Sequence, residues 1–495
     1  MSESKPEQAE REAGMLLRQF AEQAFSRAAG APLIAGNSVR ILRNAGENYP
    51  AWLTAIRAAQ RTIYFENYII ANDAVGREFA AALAERARAG VRVRVSYDWL
   101  GALGSASQRV LQPVAAAGGE VRCFNPPRLD SPFGWLSRDH RKMLAVDGKS
   151  GFVTGLCVSR KWAGDAVLGK EPWRDTGIEV HGPAIADIER AFAETWAATG
   201  APIPEEELTR PDAIPAAGTV MLRVLATQPS IAGLYRLDQL IAAMARRTLW
   251  LTDAYFVGVA PYVQALRAAA LDGVDVRLLV PGASDIPVIS PLSRSGYRPL
   301  LEAGIRVFEW NGPMLHSKTA VADCRWARVG SSNLNIASWM SNYELDVAVE
   351  DEDFAAEMQD MYEDDLARAT EIVLAERNRV RPATWRPPRR QLRGGSASRA
   401  AAGALRIGNT VGAAITNRRV LGPAEAGLMT GAGLALFGFA AVIIAWPLTI
   451  ALPLAALGLW MAVSFLVRAK ELRAARRRDA VSKAADGQDL QDEQD

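Results

Sequence analysis

His140-Arg141-Lys142-Met143-Leu144-Ala145-Val146-Asp147 and His316-Ser317-Lys318-Thr319-Ala320-Val321-Ala322-Asp323 are two copies of one pattern, H-x-K-x-x-x-x-D. The chain of 495 residues has only three histidines, and two of them stand in these copies. With 57 basic and 55 acidic residues, a given histidine meets both partners at these offsets by chance roughly once in 80. The pattern is a duplication, and what surrounds it repeats as well. Glu66-Asn67-Tyr68-Ile69 matches Asp253-Ala254-Tyr255-Phe256, and Ala89-Gly90-Val91-Arg92-Val93-Arg94 matches Asp272-Gly273-Val274-Asp275-Val276-Arg277.

Hydrophobic periodicity turns this repeat into an architecture. A first strand is expected over Asn37–Arg43 and a helix over Trp52–Ala59. Strand, helix and strand then follow over Thr62–Glu66, Gly76–Ala89 and Val91–Tyr97, and again over Thr248–Asp253, Val259–Ala270 and Val274–Val280. Val121–Phe124 and Arg306–Glu309 are the next strands, and each half then reaches its H-x-K segment. The fold class is α/β, built as two similar halves. The Pro, Glu and Ala residues of 201–218 read as a linker. Asp351–Arg377 reads as a charged helix and Pro6–Arg27 as an N-terminal one, with Met15, Leu16 and Phe20 along one stripe.

Composition bounds the function. Apolar residues at 49% and charged residues at 23% suit globular cores, and a net charge of +2 gives no global signal for nucleic acid. Cys123, Cys157 and Cys324 have neither disulfide nor metal-ligand spacing, which points to a reducing compartment. Ala426–Val467 holds no charged residue. That is about twice the roughly 20 residues a helix needs to cross a bilayer. Trp446, Pro447 and Pro453 interrupt it, so a hairpin of two spans is expected. Arg418 and Arg419 precede it, and Arg468, Lys470, Arg473, Arg476, Arg477 and Arg478 follow it. Basic flanks on both sides of an even number of spans place both ends, and the body, in the cytoplasm.

The motifs imply a chemistry. Residues i and i+2 of a strand share a face, so His140 points with Lys142 and His316 with Lys318. Two such faces across a pseudo-two-fold axis give two imidazoles and two ammonium groups, a set that suits a phosphodiester. The lysines neutralise non-bridging oxygens. One imidazole attacks phosphorus, and the other protonates the leaving oxygen and then deprotonates the acceptor. No metal and no cofactor is needed. Gly330-Ser331-Ser332-Asn333 follows the second copy, and Ser331 and Asn333 offer donors to phosphate. A histidine nucleophile needs a partner on its other nitrogen. Glu344 is the candidate for His316 and Asp175 the candidate for His140. His181 stands outside the pattern and reads as structural.

These residues resemble the phospholipase D superfamily, whose signature is H-x-K-x4-D-x6-G-S-x-N in two copies. The resemblance runs over about Val39–Arg377, and the second copy matches it in full at His316, Lys318, Asp323, Gly330, Ser331 and Asn333. The first matches at His140, Lys142 and Asp147, then departs at Thr154-Gly155-Leu156-Cys157. Cys157 replaces the amide, and Thr154 offers a hydroxyl in its place. The run from Ile63-Tyr64-Phe65-Glu66 through His140-Arg141-Lys142 is similar to bacterial cardiolipin synthases of the phospholipase D type.

The resemblance implies catalytic roles for His140, Lys142, Asp147, His316, Lys318 and Asp323, with phosphate contacts from Thr154, Ser331 and Asn333. It implies transfer between anionic phospholipids such as phosphatidylglycerol through a phosphohistidine, and its frequent use of the first motif favours His140 as nucleophile. Phospholipid hydrolysis, a nuclease and an inactive membrane scaffold are the other readings. The expected organisation is an N-terminal helical segment (1–38), phospholipase D-like halves (39–205 and 219–378), a basic linker (379–422), a transmembrane hairpin (423–468) and a charged cytoplasmic tail (469–495). The expected location is the bacterial inner membrane. The sequence carries no signal for oligomeric state.

Overall fold

The computed structural model describes residues 22–127, 136–165, 167–286 and 289–374, with scattered helical positions between 434 and 470. Residues 22–124 and 138–374 belong to one compact unit, and the other described residues to a second. Among the described residues no helix is long and apolar enough to cross a membrane. The expected hairpin falls mostly outside them, as do Met15, Leu16 and Phe20.

The first unit carries two sets of strands. One set is β1 (Ile34–Arg43), β2 (Thr62–Asn67), β3 (Arg92–Asp98), β4 (Glu120–Phe124), β5 (Lys142–Val146), β6 (Ser150–Thr154) and β7 (Thr176–His181). The other is β8 (Val220–Thr227), β9 (Thr248–Thr252), β10 (Asp275–Pro281), β11 (Arg306–Trp310), β12 (Thr319–Ala322), β13 (Trp326–Gly330) and β14 (Glu344–Glu350), with β15 (Ala369–Ile372) added at the edge. The first set is ordered β1-β7-β6-β5-β2-β3-β4 and the second β8-β14-β13-β12-β9-β10-β11. This is the same order twice. Antiparallel pairing of β1 with β8 joins the sets at the centre of one 15-stranded sheet. The duplication read from the motifs is thus a duplication of topology.

Parallel strands need long crossovers. Helix α1 (Asn44–Ala58) leads from β1 towards β2, and α2 (Ala74–Arg88) connects β2 to its parallel neighbour β3. Asp73 starts α2 by accepting a hydrogen bond from the Gly76 N–H, a side-chain N-cap. Helix α3 (Ile185–Ala198) follows β7, α4 (Gly233–Met244) connects β8 to β9, and α5 (Ala260–Leu271) connects β9 to its parallel neighbour β10. One apolar cluster lies under α1 and α2 in the first half, and another under α4 and α5 in the second. A third is shared between the halves. It packs Met143, Val153 and Ile178 with Val224, Val329 and Val347, beneath α3 and α6 (Glu352–Leu366).

The structure adjusts three expectations. The charged C-terminal helix stops at Leu366, and β15 follows, paired antiparallel with β11. The linker is pinned to the first half, where Arg94 meets Glu207 at 2.7 Å and the Thr209 N–H donates to Glu189. The repeat is offset by one residue in β2. Register places Asn67 opposite Lys142 and Thr252 opposite Thr319, so Asn67, not Glu66, is the counterpart of Asp253.

The motif aspartates are also clarified here. Asp147 accepts the backbone N–H groups of Gln60, Arg61 and Thr62 at 2.8–2.9 Å. Asp323 accepts those of Arg246, Arg247 and Thr248 at 2.7–2.9 Å. Both have positive φ, +56° and +53°, a region that aspartate tolerates better than most residues. They stand at the far ends of β5 and β12 from the histidines. These two residues, expected as catalytic groups, clamp the start of β2 and β9 against the motif strand. Asp147→Ala leaves three N–H groups without their acceptor. It is expected to lower stability by about 2–4 kcal/mol, with turnover per folded molecule retained, as denaturant melts and specific activity will show.

Candidate active site

The motif histidines lie just before β5 and β12 and are delivered by the opposite half. The His140 N–H donates to the Tyr343 carbonyl at 2.9 Å, and the Tyr343 N–H returns a bond to Arg138 O at 2.8 Å. In the mirror arrangement, the His316 N–H donates to Arg174 O at 2.7 Å, and the Arg174 N–H to Met314 O at 3.0 Å. Each short ladder sets a histidine beside the residue that follows its partner. His140 Nδ1 therefore meets Glu344 Oε2 at 2.8 Å, and His316 Nδ1 meets Asp175 Oδ2 at 2.8 Å. The pairing expected within each half, Glu344 with His316 and Asp175 with His140, is crossed in the structure. The parallel bridges 139–343 and 174–315 between halves are the reason, and no sequence period reports them.

Both carboxylates are fully buried and held by further donors. Glu344 accepts from the Ser331 hydroxyl at 2.6 Å and from Asn342 Nδ2 at 3.2 Å. Gly155 stands where the second half has Ser331, and a Cβ there would come within 2.2 Å of Asp175 Oδ1. The missing hydroxyl is replaced by an indole: Trp162 Nε1 donates to Asp175 Oδ2 at 3.0 Å, and the Thr176 N–H donates to Oδ1 at 2.9 Å. A carboxylate that accepts Nδ1–H fixes the neutral imidazole with its Nε2 lone pair free.

The lysines complete the site. Lys142 and Lys318 are 0% and 1% exposed. Lys142 Nζ donates to the His140 carbonyl at 2.5 Å, and Lys318 Nζ lies 3.0 Å from His316 Nδ1 and 3.2 Å from Nε2. Tyr68 and Tyr255 roof these pairs. The Tyr68 ring centroid is 5.0 Å from that of His140, and the Tyr255 centroid 5.7 Å from that of His316. Trp162 and Trp173 flank His316 as well, at 5.1 Å and 5.8 Å.

Burial dominates the electrostatics. It pulls His140 down to about 3 against the opposing charge of Glu344, and Lys142 adds to the depression. Burial and Lys318 pull His316 down to about 4. Burial, opposed by Asp175 and reinforced by Lys142, lowers Lys318 to about 8. Although burial resists it, the His316 side holds Asp175 below its ordinary value. Near neutral pH both imidazoles are uncharged and Lys318 is an ammonium. As pH rises through 8 that ammonium is lost. The alkaline limb of kcat/KM is therefore expected near pH 8, and bound phosphate, which stabilises the ammonium, is expected to move the limb of kcat higher. A pH profile of both constants checks this.

Two of the hydroxyls expected at phosphate are hydrogen-bonded within the protein. The Thr154 hydroxyl donates to Thr176 O at 3.2 Å and accepts from the Leu156 N–H at 3.1 Å. The Ser331 hydroxyl is committed to Glu344 and to the Leu345 N–H. Both serve the carboxylate strands. Asn333 differs: it is 4% exposed, and its Oδ1 is buried without a partner among the described residues. Its counterpart Cys157 is a buried thiol that burial pushes up to about 11. His181 lies apart, with Nδ1 on Lys149 O and Nε2 on Glu179. No group of metal-binding residues occurs among the described residues. Sequence reasoning missed Trp162 and the tyrosine roofs. The repeated Tyr68 and Tyr255 were the available signal for the roofs, and the loss of Ser at Gly155 was the signal for Trp162.

Residues 238–366 match the family described as cardiolipin synthase, PLD-like domain. Cardiolipin synthase A of Pseudomonas fluorescens (strain SBW25) is 35% identical over 364 residues, covering 71% of this chain and 73% of that protein. The chain belongs to the phospholipase D-like cardiolipin synthases. Cardiolipin synthase A of Pseudomonas aeruginosa (strain LESB58) is 34% identical over 72% of this chain and 73% of that protein. Among solved structures, the phosphatidylserine synthase of Haemophilus influenzae Rd KW20 is similar in fold. It has a TM-score of 0.54 at 14% identity and covers 71% of this chain and 91% of that one. A cardiolipin synthase-like chain is an enzyme of the phosphatidyltransferase type, and its α/β fold is the phospholipase D fold.

Proposed function

We propose that this enzyme makes cardiolipin and glycerol from two molecules of phosphatidylglycerol through a phosphatidyl-histidine. The observation that carries the reading is the crossed pair of imidazoles, each held through Nδ1 by a buried carboxylate and set beside a buried lysine. One Nε2 attacks phosphorus and forms a P–N bond. The P–O bond to the head-group glycerol breaks, and the other histidine gives that oxygen its proton. The primary hydroxyl of a second phosphatidylglycerol then passes its proton to the same histidine and attacks phosphorus, and the P–N bond breaks. Lys142 and Lys318 neutralise the non-bridging oxygens, and the Asn333 side chain supplies a further polar contact. The bound phosphodiester restores negative charge to a site that burial has made hostile to imidazolium, so it raises the affinity of the acid histidine for its proton.

Asp175 and Glu344 orient the two rings, and Trp162 holds Asp175 where the second half uses Ser331. Mass spectrometry of lipids made by the purified enzyme from defined phosphatidylglycerol tests the reading. Cardiolipin with equimolar glycerol is expected. Free phosphatidate without cardiolipin would assign the site to hydrolysis.

The body is read as anchored to the cytoplasmic face of a bacterial inner membrane by two spans within 423–468, on the strength of the uncharged run Ala426–Val467 and its basic flanks. The halves, linker and tail keep the bounds given above. Removal of residues 424–495 is expected to leave a folded body that sediments with membranes far less than the full chain, and a truncated chain that still sediments fully would contradict the anchor.

A further inference from the structure

The segment between β6 and β7 leaves the sheet at Thr154 and returns at Asp175, so it rises from the end of the sheet that holds the histidines. Its base is aromatic. Trp162 and Trp173 pack on each other at 4.5 Å, and both face His316. Between them the chain forms a closed projection. Asp165 and Lys170 exchange backbone bonds at 2.7 and 2.9 Å, the Asp165 carboxylate accepts the Val167 and Leu168 N–H groups at 3.1 Å, and Arg160 pairs with Asp165 at 3.2 Å. Gly164 makes the entry turn with φ +75°, and a Cβ there would press within 2.7 Å of Lys170 O. A loop held this firmly still presents Val167 at 95% exposure and Leu168 at 61%. Lys161 and Lys170 are exposed on either side of the tip.

The matching excursion of the second half, 331–343, exposes Ile336 and Met340 at the same end of the sheet, and Leu103 is exposed just beyond β3. Exposed apolar side chains rimmed by cations mark an interaction surface, and those near lipid headgroups are stabilised by acyl chains below and anionic phosphates above.

We propose that the projection formed by Gly164, Asp165 and 167–171 is a docking finger that seats the catalytic end on an anionic phospholipid bilayer, with Val167 and Leu168 entering the apolar layer and Lys161 and Lys170 meeting headgroup phosphates. The choice of a lipid surface rests on the phosphatidyl-transfer reading. The finger brings the bilayer to the wall of His316, so that a lipid headgroup reaches the lysines without leaving the membrane.

The test uses the full chain with Cys123→Ser and Cys324→Ser, leaving buried Cys157 in place. An environment-sensitive fluorophore is attached at Leu168→Cys, or at Val373→Cys as the control. Val373 is 65% exposed and follows β15, whose pairing with β11 places it at the opposite end of the sheet. On phosphatidylglycerol vesicles carrying a lipid-bound quencher, the 168 label is expected to shift to the blue and be quenched severalfold more than the 373 label, and less so on phosphatidylcholine vesicles. Equal quenching at the two positions overturns the finger, and equal quenching on the two lipids overturns the role of the lysines. Val167→Ser with Leu168→Ser is expected to raise KM on vesicles about tenfold with kcat in detergent micelles unchanged. An unchanged vesicle KM also overturns the finger. Cardiolipin is measured in the same samples. Cardiolipin formed while the 168 label stays in water sinks the finger and spares the transfer reading, whereas immersion without cardiolipin does the reverse.

Discussion

His140→Ala and His316→Ala are each expected to lower cardiolipin formation by about 10⁴-fold or more, because residues acting as one covalent unit fail together. Neither change is expected to unfold the protein. Removing the imidazole of His140 leaves Glu344 with Ser331 and Asn342 as donors, and removing that of His316 leaves Asp175 with Trp162 and the Thr176 N–H. Each buried carboxylate thus keeps hydrogen bonds that offset its burial. Purified variants compared by denaturant melt and by lipid product separate loss of chemistry from loss of fold. Full activity in either one would overturn the paired-imidazole mechanism.

The second large effect is expected from the carboxylates. Glu344→Gln and Asp175→Asn keep size and shape but lose the charge that holds Nδ1–H. An amide also offers an NH2 group to the ring, which favours the tautomer with its proton on Nε2, where the lone pair is needed. In a catalytic triad the same change costs about 10⁴-fold, and losses of about 10²–10⁴-fold in kcat are expected here. The crossed geometry sharpens this. Glu344→Gln acts on the histidine of the first motif and Asp175→Asn on that of the second, so each variant is expected to reproduce the kinetic defect of the histidine in the opposite half. Pre-steady-state release of glycerol against formation of cardiolipin distinguishes the two half-reactions. Identical defects in both variants would remove the division of labour between the histidines.

Much of this was legible in the chain, for physical reasons. Strand and helix periods repeat because each half buries the same faces, so the α/β duplication was readable from Thr62 to Val280. His140, Lys142, His316 and Lys318 were readable because their spacing alone puts each pair on one face. The partner of each histidine was not. Asp175 and Glu344 were visible as candidates, but the backbone bridges that cross the halves at 139–343 and 174–315 decide which ring each one holds. The surroundings of the motif aspartates were not legible, because a pattern in sequence does not report direction: Asp147 and Asp323 lie at the other end of their strands, turned towards backbone N–H groups. The partners of the Ser331 and Thr154 hydroxyls were hidden for a related reason. A hydroxyl near a site serves whichever acceptor lies closest, and the strands that follow, β14 and β7, supply that acceptor. Trp162 replaces a serine seven residues from the position it compensates, an exchange that only packing reveals.

The most direct measurement is to quench the enzyme during turnover of phosphatidylglycerol labelled in its acyl chains, digest it, and locate any acid-labile phosphatidyl adduct by mass spectrometry. One adduct is expected, on the imidazole of His140 or of His316, that forms before cardiolipin and is consumed when more phosphatidylglycerol is added. Cardiolipin produced at full rate with no adduct on either histidine would contradict it.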